Sequence, residues 1–146
     1  MRIAHVANTD YFCAFLLRGQ LRATRAEGHC VDVVCGSGPL LQELRDEGFG
    51  VHVVENSRRV DPFADLRTLR DYVGLFRRER YDVVHTHNPK VNALAALAAR
   101  LTHVPRIVST VHGLYSHERQ RPSVRRVIGL AEALLIDHRL CQRGGL

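Results

Sequence analysis

The chain has 146 residues, 45% of them hydrophobic and 25% charged, the balance of one soluble globular domain long enough to bury a core. Its net charge of +6 comes almost wholly from arginine, since Lys90 is the only lysine; such an excess suits phosphate, anionic lipid headgroups or nucleic acid and does not choose among them. The cysteines (Cys13, Cys30, Cys35, Cys141) show no C-x-x-C pair or metal-ligand spacing, and the first apolar run is too short for a signal peptide or a membrane span. These features place the chain in a reducing, cytosolic compartment, with its cysteines acting as small hydrophobes.

Residues 2–7 read as a first buried strand. Asn8-Thr9-Asp10 offers N-caps for a helix whose apolar face is Phe12, Phe15, Leu16, Gly19, Ala23 and Ala26, with Arg18, Arg22 and Arg25 opposite. Gly28 ends it, and residues 29–35 form a second strand. Gly36-Ser37-Gly38-Pro39 has the look of a phosphate loop but lacks a following lysine, so a plain strand-to-helix turn is the preferred reading. A short helix with Leu41 and Leu44 inward follows, then a third strand over residues 51–54.

Asp61-Pro62 is a strong helix start, an N-cap followed by proline at the first position. Leu66, Leu69, Val73 and Phe76 make the predicted buried stripe of that helix. Val83-Val84 opens a fourth strand that ends in His85-Thr86-His87, and Asn88-Pro89-Lys90 starts an alanine-rich helix running to Leu101. Pro105 breaks it. A fifth strand over residues 106–111 ends at His112-Gly113, and a basic loop from Glu118 to Arg126 leads to a last helix near residues 124–136.

Alternating strands and helices predict a Rossmann-like α/β fold, a doubly wound parallel sheet in one domain over residues 1–146. In the common 3-2-1-4-5 strand order the loops at Asn8 and His85 face each other across the switch point, with the loop at His112 beside them. His85 and His87, two apart on a strand, point the same way. A metal would need a third ligand, for which His112 is the one candidate, so no stoichiometric zinc or magnesium is expected; His85 is read as buried and bonded to backbone. Lys90 is as readily a solvated lysine as a phosphate contact at a helix N-terminus.

The segments His85-Thr86-His87-Asn88-Pro89-Lys90, Leu94 to Arg100, Val104-Pro105, Thr110 to Tyr115 and Gly28 to Gly36 together resemble the family 4-type glycosyltransferases. These have the GT-B fold, and the likeness is to the capsule, exopolysaccharide and lipopolysaccharide enzymes. The resemblance implies the amino-terminal, acceptor-side half of such an enzyme, with the donor-binding half that carries a Glu-x7-Glu segment absent. It implies a catalytic role for His112 near the transferring sugar. Asn8, Tyr11, His87, Asn88, Lys90 and Gly113 would contact acceptor or phosphate. The co-substrate would be a nucleotide-sugar, UDP- or GDP-linked, with no bound cofactor. The other partners would be a lipid-linked or glycan acceptor, an anionic membrane at the inner face of the plasma membrane, and a separate carboxyl-terminal domain, but no nucleic acid. The chain stops as a sixth strand begins, so it is expected to be incomplete and inactive alone. Two rival readings are a non-catalytic sugar or lipid-phosphate binding module and a metal-dependent hydrolase using His85, His87 and His112.

Overall fold

Short runs of valine, isoleucine and alanine become the sheet in the computed structural model, which describes residues 1–57 and 61–110. The strands β1 (Arg2–Val6), β2 (Cys30–Cys35), β3 (Gly50–Val53), β4 (Val83–His87) and β5 (Arg106–Thr110) lie in the order β3-β2-β1-β4-β5. Every neighbouring pair is parallel. The predicted order holds, and the direction of winding reverses between β1 and β4.

Each face of the sheet has its own core. On one face Ala4, Val6, Val34 and Val84 pack beneath α3 (Pro62–Glu79) and α4 (Pro89–Leu101), through Tyr72, Phe76, Val91, Ala95, Ala98 and Ala99. The small side chains of α4 let its backbone approach the strands closely, as dense packing requires. On the other face Val31, Val33 and Cys35 meet Cys13, Leu17, Leu21, Leu41 and Leu44. Those come from a π-helical segment (Phe12–Leu17), its continuation α1 (Arg18–Ala26), and α2 (Leu41–Asp46). Cys13 and Cys35 are buried as expected, whereas Cys30 is exposed.

The predicted inner face of the first helix is overturned. Phe15 and Leu16 are 60% and 61% exposed, and Cys13, Ala14, Leu17 and Leu21 face the sheet instead. A π-helix bonds i to i+5 and fits more residues into each turn, so it turns each residue less far round than α-helical phasing assumes. The arginines opposite are not a free basic stripe. Arg18 pairs with Glu43 and Glu47, Arg22 pairs with Glu47, and Arg25 reaches the Glu47 carbonyl and lies over the Phe49 ring. In α3 the stripe is likewise shifted: Leu66 is exposed, and Thr68, Tyr72 and Leu75 join Phe76 in the interior. The start of α3 is as predicted, with the Asp61 carboxylate accepting from the N–H groups of Phe63 and Ala64 at 3.0 and 3.2 Å.

The Gly36-Ser37-Gly38 segment is a turn whose donors serve the chain's own carboxylates. Ser37 N–H donates to Glu55 and Leu40 N–H donates to Asp10, both at 3.0 Å. A side chain at Gly38 would collide with the Asp10 carboxylate, which explains glycine there. Among the described residues no helix is long and apolar enough to cross a membrane. His112, Gly113, the basic loop, the last helix and the start of a sixth strand lie outside the described residues.

Candidate functional site

The carboxyl ends of β1 and β4 are side by side at the point where the winding reverses, the usual ligand edge of an open parallel sheet. The loops that leave them touch: Asn8 N–H donates to the Asn88 side-chain oxygen at 3.3 Å. Asn88 has φ of 102°, a conformation costly for any residue but glycine. Its side chain holds the two loops together while its backbone turns β4 sharply into α4. Asn88→Ala, which keeps the strain and loses the bond, is expected to lower stability by about 1–3 kcal/mol. Asn88→Gly, which relieves the strain, should stay within about 1 kcal/mol of the parent. Chemical denaturation of both variants checks this, and equal losses in the two would count against a strained turn.

Beneath that turn, three imidazoles meet. His5 stands directly opposite His85 in the register of β1 on β4, and His87 follows on the same side. Ring centroids lie 5.0 Å apart for His5 and His85, 5.5 Å for His5 and His87, and 4.2 Å for His85 and His87. His5 Nδ1 is 3.2 Å from His87 Nε2, and His85 Nε2 is 2.7 Å from Thr110 Oγ1. The Phe12 ring is 6.1 Å from that of His87. His5 and His87 are buried and His85 is half-buried. Burial, with the neighbouring His85 adding to it, pushes the His5 ring down to about 3, so it is neutral at physiological pH.

The sequence reading placed His85 against backbone; the structure sets its Nε2 against the Thr110 hydroxyl. It also treated His112 as the one possible third imidazole, whereas β1 supplies His5. The available signal was a lone polar ring in an apolar strand predicted to flank β4.

Tyr11, 63% exposed with its ring 4.6 Å from that of Phe15, stands beside the Asn8 loop. Lys90 points away from free solvent: its ammonium donates to the Ser57 carbonyl and pairs with Asp65, both at 2.6 Å. It therefore ties the start of α4 to α3. Of the predicted site residues, Asn8 and Asn88 are in direct contact and His87 precedes Asn88 at the end of β4, whereas Tyr11 meets Phe15 and Lys90 is tied to α3.

The model of the glycosyl transferase 4-like domain matches residues 16–141. The chain belongs to that family. The glycosyl transferase 4-like domain is 37% identical over 98 residues to UDP-Gal:alpha-D-GlcNAc-diphosphoundecaprenol alpha-1,3-galactosyltransferase of Escherichia coli. That match covers 66% of this chain and 25% of the enzyme. It is 31% identical over 99 residues to the capsular polysaccharide biosynthesis glycosyltransferase CapM of Staphylococcus aureus, covering 68% and 26% of the two chains. Among solved structures, a glycosyltransferase from Rickettsia africae superposes with a TM-score of 0.65 at 22% identity, over 86% of this chain and 32% of the other. That likeness supports the Rossmann-like fold of GT-B enzymes. The chain spans about a quarter of the length of the curated relatives it matches.

The amino edge of this glycosyl transferase 4-like domain carries a second polar cluster that sequence reasoning passed over. The buried Asp32 carboxylate accepts from Arg2 at 2.8 and 3.2 Å and from the Tyr81 hydroxyl at 2.9 Å, and lies 3.3 Å from His52 Nε2. Asp82 accepts from Arg2 N–H at 2.6 Å, at the opposite end of β4 from His87.

Proposed function

We propose that this chain is the acceptor-side domain of a retaining, nucleotide-sugar-dependent glycosyltransferase that extends a lipid-linked sugar at the cytoplasmic face of the membrane. The observation that carries this reading is the 37% identity to an enzyme named for transfer from UDP-Gal to a diphosphoundecaprenol-linked sugar. In such a transfer the bond from the sugar's anomeric carbon to the nucleoside diphosphate breaks. A bond from the same carbon to an acceptor hydroxyl forms, and the hydroxyl proton leaves with the diphosphate or solvent. The sheet edge fits the acceptor's side of this reaction. Asn8, Asn88 and Gly113 would border the sugar, His87 would support the Asn88 turn from below, and Lys90, held by Asp65, would brace that turn rather than meet phosphate. The exposed Tyr11, Phe15 and Leu16 beside the crevice suit a lipid-linked partner. His112 would contact the transferring sugar, and a carboxyl-terminal domain would hold the UDP- or GDP-sugar.

The test is transfer of labelled sugar to a GlcNAc-diphospho-lipid, measured with this chain alone and with the chain joined to the carboxyl-terminal domain of a relative. No transfer is expected from the chain alone, and transfer is expected from the joined protein. A joined protein that folds, binds nucleotide-sugar and transfers nothing from any UDP- or GDP-sugar would overturn the reading. Turnover by the chain alone would overturn the need for a second domain.

A further inference from the structure

Buried polar groups in folded proteins are nearly always partnered, and the β1–β4 seam holds three imidazoles in contact with one another. His5 is only 1% exposed, and its Nε2 has no hydrogen-bond partner among the described residues. One nitrogen from each of His5, His85 and His87 lies within 4.8 Å of the other two. The 3.2 Å between His5 Nδ1 and His87 Nε2 is close to the edge of a zinc tetrahedron, which at Zn–N distances of about 2.0–2.1 Å spans roughly 3.3 Å. The Thr110 hydroxyl on His85 Nε2 is the kind of contact that fixes a ligating ring's orientation.

We propose that His5, His85 and His87 form a binding site for one divalent transition metal ion of the zinc class, stapling β1 to β4 beneath the Asn88 turn. Three imidazole nitrogens with no carboxylate favour zinc, cobalt, nickel or copper over magnesium or calcium. Three protein ligands leave one position of a tetrahedral ion open. The ion's place is below the crevice and its role is to hold two strands together, so this inference stands apart from the transfer reaction. The other group with metal-ligand spacing, Asp32, His52 and Glu79, carries no such proposal, because Arg2 ion-pairs with both carboxylates and Tyr81 donates to Asp32.

The full chain, stripped with a chelator and dialysed, would be titrated with cobalt(II) and then zinc(II). Visible cobalt absorption and calorimetry would be read, with magnesium as a control. One equivalent of cobalt with a tetrahedral spectrum, displaced by zinc and not by magnesium, is the expected result. His5→Phe should abolish that binding, and Thr110→Val should weaken it about tenfold or more. If His5→Phe does not fold, His85→Gln takes its place. Absence of near-equimolar binding, or affinity unchanged in a folded His5→Phe or His85→Gln protein, would overturn the proposal.

Discussion

Replacing Asp32 with alanine is expected to remove about 3–5 kcal/mol of folding stability, the range for deleting one partner of a buried ion pair. That is a large part of the roughly 5–15 kcal/mol by which domains of this kind are stable. Asp32 sits inside the sheet on β2, between Ala4 of β1 and Gly50 of β3. Its Oδ2 draws Arg2 and the Tyr81 hydroxyl from the amino ends of β1 and β4, and His52 from β3. A Cβ at Gly50 would collide with the carboxylate, so β3 opens with glycine. Without Asp32 the buried Tyr81 hydroxyl loses its acceptor, and Arg2 loses one of its two described side-chain ion pairs, keeping that with Glu79. Thermal unfolding should shift down on the order of 10 °C, and a midpoint within about 2 °C of the parent would refute the assignment.

The same carboxylate makes stability depend on pH. Burial alone would raise its pKa, but hydrogen bonds from His52, Tyr81 and Arg2, with the Arg2 charge, hold it below its ordinary 3.8. The unfolded chain therefore takes up this proton at higher pH than the native one. The contribution is complete above the unfolded value and is lost as pH falls through the lower folded value. Acid unfolding of Asp32→Asn should lack that component.

In the joined enzyme, His112→Ala should lower the turnover number on the order of a hundredfold, the scale for removing one group that stabilises a transition state. Nucleotide affinity should change little, because the contacts proposed for His112 are to the transferring sugar and strengthen as its bond breaks. Thr110, where β5 ends, pairs with His87 at the crevice edge, and His112 follows two residues on in the chain. Steady-state kinetics with the intact acceptor would check it. A rise in KM at constant turnover, or no change in either, would remove His112 from the proposed chemistry.

Much of the fold was legible in the sequence. Strand–helix alternation with right-handed crossovers leaves few sheet orders, and the one expected is the one found. The starts of α3 and α4 were readable because Asp61-Pro62 and Asn88-Pro89 act through local backbone geometry. The meeting of Asn8 with Asn88 followed from that order without knowledge of any side chain. Local reading failed where a helix departed from ordinary phasing, so that Phe15 and Leu16 came out exposed and Cys13 and Leu17 buried. It also failed where charge was cancelled from a distance, as Arg18 and Arg22 are by Glu47 at the carboxyl end of α2. His5 and His87 are 82 positions apart, and nothing local in either strand says that they touch. Their contact exists because β1 lies parallel to β4 with His5 level with His85, a register set by both cores together rather than by either strand alone.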